Sequence, residues 1–303
     1  MSVTINDTSG RALIDGAELE LVQGGFSFTE GPAWNVAGSY LVFSDIPGDQ
    51  MWRWDERDGF ASYRRPSNMA NGNSYDGEGR LLSCEHATSH LTRAEHDGTT
   101  TVLADLYEGK ELNSPNDVVA GPGGDVYFTD PTYGRNEFFG VPRPTVLGFQ
   151  GLYRVGGRGL ELLCRDFAQP NGLCFSLDGT VLYVNDTDRM HIRAFRLSGL
   201  TGGGQLEGGE VWAETKGDEP GNPDGMKLDG AGNVWCTGPG GIHAFGPDGR
   251  LLGILPVPEV VGNFAWGGDD FRTMFVCAST GLYRIRTEVP GHLSWARPTA
   301  GAS

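Results

Sequence analysis

No run of about 18 apolar residues occurs in the 303-residue chain, so a membrane-spanning helix is not expected. Basic residues are scarce: 23 Lys and Arg stand against 39 Asp and Glu, a net charge of −16. A phosphate backbone would be repelled, which argues against nucleic acid as a partner. The charge reads as a solvated acidic surface, and it is compatible with a negative cavity that attracts a cation. Metal-ligand spacings of the zinc type are missing as well. The five cysteines, at 84, 164, 174, 236 and 277, contain no Cys-x-x-Cys pair, and the six histidines form neither His-x-His nor His-Glu-x-x-His. Most of the thiols lie in apolar runs such as Leu162-Leu163-Cys164 and Val276-Cys277. Buried reduced thiols of a cytoplasmic protein are the simplest account. The opening Met1-Ser2-Val3-Thr4-Ile5-Asn6-Asp7 has no basic region and no apolar core, so no secretory signal is expected. No feature calls for an obligate protein partner.

Glycine, by contrast, is abundant: 48 residues, about twice its usual share. It supplies tight turns and disfavours helix interiors, which favours a turn-rich all-β fold. A repeat organises it. Segments opening on a polar residue begin at Glu30, Asn71, Asn116, Asn171, Asp224 and Asn263, at intervals of 41, 45, 55, 53 and 39 residues. Propeller blades recur at about 40 to 50 residues. Eight residues after each of the first five starts stands a glycine: Gly38, Gly79, Gly124, Gly179 and Gly232. An apolar strand follows each time, as in Val126-Tyr127-Phe128 and Val181-Leu182-Tyr183, which makes a hairpin. Third strands such as Met51–Trp54 and Gly281–Ile285, and fourth strands such as Leu160–Leu163 and Leu251–Ile254, complete the unit. Four antiparallel strands per repeat and six repeats predict a six-bladed β-propeller spanning 1–303 as one domain. The sixth repeat stops after its third strand near Arg286. Glu18-Leu19-Glu20-Leu21-Val22 is expected to supply the missing strand and close the ring, which removes a sheet edge.

The first strand of each propeller blade lines the central channel, so the six starts should form a ring at one mouth. Each of the six carries a side-chain oxygen, and none is Lys, Arg, Cys or His. Oxygen-only donors suit a hard cation. Glu30 and Asp224 would match a divalent charge, and the Asn oxygens would complete its coordination. Ca²⁺ suits this set best, with Mg²⁺ or Mn²⁺ as alternatives and Zn²⁺ less favoured. Taken singly, an Asn or Asp beside Gly or Pro more often caps a turn; Asn71 and Asn263 fit that role too. The second strands run back to the same mouth and end in Asp45, His86, Asp130 and Asp186, as site residues or as strand-end caps. His86 alone among them titrates near neutrality. The segment 134–150, an insertion in the third blade, reads equally as a lid or as a surface loop.

Several motifs carry a family resemblance. Glu30-Gly31-Pro32-Ala33-Trp34, Ser114-Pro115-Asn116-Asp117-Val118, Phe128-Thr129-Asp130-Pro131, Pro170-Asn171-Gly172 and Pro223-Asp224-Gly225-Met226 resemble the SMP-30/gluconolactonase family. Phe43-Ser44-Asp45-Ile46-Pro47, Ala70-Asn71-Gly72-Asn73 and Cys84-Glu85-His86 resemble its bacterial gluconolactonase branch. The resemblance covers roughly residues 22 to 286. It implies a propeller that holds a divalent cation in its channel and hydrolyses sugar lactones, with Glu30, Asn171 and Asp224 as metal ligands and Asp224 as the catalytic acid–base residue. Asn116 is implied in metal or substrate contact. Some members carry Arg two residues before that Asn, where this chain has Ser114, so the sugar contact differs there. His86, Ser114 and Asn71 join Asn116 as candidate substrate-binding residues.

Under this reading the cation polarises the lactone carbonyl, water attacks, and Asp224 moves a proton. Ligation would lower the pKa of Asp224 and weaken it as a base, a conflict that an activated ester tolerates. A phosphotriester or another ester would suit the same chemistry, and a non-catalytic binding propeller is the alternative outside enzymology.

Overall fold

The computed structural model describes residues 2–198 and 204–293; position 1, 199–203 and 294–303, which the expected 1–303 domain includes, lie outside the described residues. Six four-stranded antiparallel sheets form the six blades of a β-propeller, and no α-helix occurs among the described residues. The innermost strands are Thr29–Asn35, Ala70–Tyr75, Val118–Ala120, Pro170–Phe175, Met226–Leu228 and Val261–Gly267. Each follows or contains one of the six expected starts. Inner strands are covered on both faces: every residue of Pro170–Phe175 and of Val261–Gly267 is buried. The outermost strand Gln205–Glu214 buries only two of its ten residues, because its outer side meets water.

Four of the five glycines at the common offset hold left-handed backbone, with φ between 72° and 90° at Gly79, Gly124, Gly179 and Gly232. In the first blade that conformation moves one residue on, to Ser39 at φ 50°.

Ring closure takes place as the sequence suggests, with a shifted boundary. The closing strand is Glu20–Gly24, paired antiparallel with Gly281–Arg286. Glu18 belongs instead to a hairpin of Ser2–Asn6 and Ala12–Glu18, which has no counterpart in the repeat. Leu13 and Ile14 of that hairpin are fully buried in one apolar cluster with Trp235, Ile242, Phe264 and Met274. The hairpin thereby staples the fifth blade to the sixth.

Neighbouring blades are bonded where their inner strands begin. The carbonyl oxygen of each start residue in the second to fifth blades accepts a hydrogen bond from the preceding blade. Ser44 Oγ donates to Asn71 (2.8 Å), the Gly72 amide to Asn116 (2.8 Å), Thr129 Oγ1 to Asn171 (2.8 Å), and the Gly172 amide to Asp224 (3.0 Å). Such closeness requires the glycine after the start. A Cβ on Gly172 would overlap the Asp224 carbonyl oxygen, and one on Gly72 the Asn116 carbonyl oxygen.

Gly172→Ala is therefore expected to cost roughly 3 kcal/mol and to lower the thermal unfolding midpoint by about 5 °C or more, since backbone must move to admit the methyl group. Gly157, which has open space around it and an ordinary φ, is the control: Gly157→Ala should unfold at the wild-type temperature.

Candidate functional site

With the start carbonyls turned sideways into neighbouring blades, five of the six start side chains face a cavity of about 710 Å³ at that mouth. Glu30, Asn71, Asn116, Asn171 and Asp224 all line it, and so does His86. All six blades contribute. Apolar cover comes from Phe28, Ile46, Phe139, Val260 and Val261, and further polar groups from Tyr133, Thr187, Asp188 and Asn222. The lining contains no Lys or Arg.

Two expected residues are elsewhere. Asn263 lies beneath the ring: its Nδ2 donates to Glu30 Oε2 (3.1 Å), and its Oδ1 accepts from Lys227 Nζ (3.0 Å). Ser114 is fully buried and does not line the cavity; its hydroxyl donates to the Pro131 carbonyl (2.7 Å) and accepts from the Gly134 amide (3.0 Å). The second-strand acids are caps. Asp45 accepts from the Ser27 and Phe28 amides, Asp130 from those of Asn113 and Ser114, and Asp186 from those of Ala168 and Gln169. These amides stand three and two residues before Glu30, Asn116 and Asn171, so each carboxylate fixes the loop that delivers a ring residue. Burial pushes Asp130 up to about 7 against the pull of its two amide bonds.

Electrostatically the ring is under tension. Glu30 is 3% exposed, and burial raises its pKa, followed by repulsion from Asp117; the Gly31 amide and Asn263 offset part of this. Asp224 is driven well above the usual carboxylate range, first by burial and then by the charge of Glu30, with Asp117 adding to it. A half-buried cation faces this group from below: Lys227 Nζ lies 3.6 Å from Asp117 Oδ2. Lys227 and Asp117 were not singled out in the sequence. Their signal was adjacency, since Asp117 follows a start residue and Lys227 stands on an inner strand.

Donor orientation matches the charge pattern. Thr187 Oγ1 donates to the Pro223 carbonyl (2.7 Å) and therefore accepts from Asn171 Nδ2 (3.2 Å). That tether leaves Asn171 Oδ1 as the free end of the amide. Glu30, Asn171 and Asp224 thus present oxygens, and two of them repel each other in a buried setting, a donor set suited to a hard divalent cation. Among the described residues no group of three or more His, Cys, Asp or Glu could hold a metal ion.

The insertion 134–150 forms one wall of the mouth. Phe139 packs edge-on against Phe28 at 4.9 Å between ring centres. Arg135 is tied to the Leu112 and Asn113 carbonyls, and Glu111 bridges Arg135 (3.1 Å) and Arg143 (3.0 Å). Arg143 also donates to Ser89 Oγ at 2.6 Å.

Known proteins are similar to this chain in sequence and in structure. A gluconolactonase of Zymomonas mobilis subsp. mobilis is 30% identical over 294 residues, covering 90% of this chain and 82% of that protein. The pentonolactonase XacC of Haloferax volcanii is 26% identical over 260 residues, covering 83% and 81%. The solved structure of XC5397 from Xanthomonas campestris, a gluconolactonase, superposes with a TM-score of 0.86 at 30% identity and covers 95% of each chain. The SMP-30/gluconolactonase/LRE-like region matches residues 28–280, and this chain belongs to that family.

Proposed function

We propose that the protein is a lactonase that opens a neutral sugar lactone with the help of a divalent cation, most favourably Ca²⁺. The observation that carries this reading is the meeting of Glu30 and Asp224, from the first and fifth blades, in one cavity, where burial and then the charge of Glu30 raise the pKa of Asp224. An interaction platform has no use for two repelling buried carboxylates. The lactonase names of the relatives, at 30% and 26% identity, point the same way.

Glu30, Asn171 and Asp224 are the residues that would hold the cation. Bound there, it supplies Lewis acidity toward the lactone carbonyl. Asn116 and Asn71 orient the sugar. Phe28, Phe139, Val260 and Val261 limit water around it. Asp224 accepts the proton of the attacking water and returns it to the ring oxygen as the acyl C–O bond breaks, giving the open hydroxy acid. Burial raises its proton affinity and ligation to the cation would lower it; an activated ester tolerates the weaker base that results. All five thiols are free, which fits a reducing compartment, and we place the enzyme in the cytoplasm.

Four outcomes are expected. Chelation should abolish lactone hydrolysis, and added divalent cation should restore it and raise the unfolding temperature. Glu30→Gln removes one member of the repelling pair, so the chelated variant should unfold at or above the chelated wild-type temperature and gain nothing from the cation. Asp224→Asn should lower kcat about 10²- to 10⁴-fold with a smaller change in KM. Finally, the lining offers no Lys or Arg to form an ion pair with a phosphate or sulfonate. A neutral aldonolactone should therefore exceed its 6-phosphorylated or 6-sulfonated counterpart at least about tenfold in kcat/KM. Equal rates on the charged lactones would reject the neutral-substrate assignment.

A further inference from the structure

Asn71 is 4% exposed, yet its Oδ1 has no hydrogen-bond partner. The orientation of that amide follows from its neighbours. His86 Nδ1 lies 2.8 Å from the carbonyl oxygen of Phe139, and a carbonyl can only accept, so Nδ1 carries a proton. His86 is fully buried, and burial lowers its pKa to about 4, which keeps the ring neutral. Nε2 therefore holds a lone pair and accepts from Asn71 Nδ2 at 3.2 Å. One N–H of the amide is held by His86, which fixes the orientation of the group, and Oδ1 is the unpartnered atom of a side chain that lines the cavity.

A buried carbonyl without a partner is costly, more so than an apolar side chain of the same size. Of the buried Asn oxygens left without a partner among the described residues, at 71, 113 and 185, only that of Asn71 belongs to a residue lining the cavity, where a ligand can complete it. We infer that Asn71 Oδ1 is the acceptor for one hydroxyl of the substrate, and that the Phe139 carbonyl positions it by fixing the tautomer of His86. Asn71 touches substrate; His86 and Phe139 act through it. The insertion 134–150 is thus a specificity element as well as a wall, because it supplies the carbonyl on which the relay ends. The inference rests on the lactonase reading above and adds the atom, the group it recognises and the residues that orient it.

The test compares variants and substrates together. Asn71→Ala should raise KM about threefold to tenfold with kcat within about twofold. His86→Leu should reproduce that rise. His86→Gln, whose side-chain oxygen takes the place of Nε2, should recover most of the affinity lost in His86→Leu, whereas a merely space-filling histidine predicts no such difference between the two. On a panel of singly deoxygenated lactones, wild type should lose about tenfold or more in kcat/KM on one analogue, since Oδ1 is then left unpaired, and Asn71→Ala should not distinguish that analogue from its parent. Equal discrimination by both proteins would overturn the inference. So would a loss of divalent-cation affinity in Asn71→Ala by calorimetry, which would make Asn71 a cation ligand. Calorimetric binding of the matching lactams reads the same contact without turnover. Failure of wild type to hydrolyse any lactone would therefore count against the lactonase reading alone.

Discussion

The close approach of neighbouring inner strands is the constraint from which the site follows. In the second to fifth blades the start residue gives its carbonyl to the blade before it, and at three of those four junctions a glycine leaves no room for a side chain. This fixes the radius of the mouth and turns the start side chains toward one another. Residues far apart in sequence become members of one polar wall. The tension between Glu30 and Asp224 is a result of that radius, as is the opportunity for a cation to relieve it. A wider ring would separate the carboxylates and remove both.

Much of this was legible because a repeat constrains many positions at once. The start residues, the turn glycines and the apolar strands recur in register, and register survives noise at single positions. Five of six ring members, together with His86, were placed correctly at the mouth. Asn263 was not, because a start position specifies the backbone and not the rotamer, and Glu30 and Lys227 draw its amide below the ring. Ser114 was tied to substrate only through a comparison with Arg at that place, and so short a side chain finds its partners locally. The hairpin that ends at Glu18 was invisible for a different reason: it follows no blade register, and its burial depends on surfaces from two distant blades. Asp45, Asp130 and Asp186 stood equally for caps and site residues until their amide partners were known.

A second theme is the direction of the amides. Asn71 and Asn171 each bind a neighbour through nitrogen, one to His86 and the other to Thr187, and each offers oxygen to the cavity. With two acids added, the mouth is rich in acceptors and poor in donors. Such a surface suits hydroxyls and cations, and it offers an anion no Lys or Arg to pair with. Lys227 is kept beneath, where it offsets Asp117 without meeting substrate.

The clasp between Glu20–Gly24 and Gly281–Arg286 has a temporal consequence. A growing polypeptide emerges from its N-terminus, so the strand that completes the sixth blade is made first and must wait for its partner. Blades one to five can assemble in turn, but the circle stays open until residues near 286 leave the ribosome. Glu30 and Asp224 are not locked face to face before that moment. The nascent chain is therefore spared a pair of crowded, uncompensated charges for nearly the whole of its synthesis.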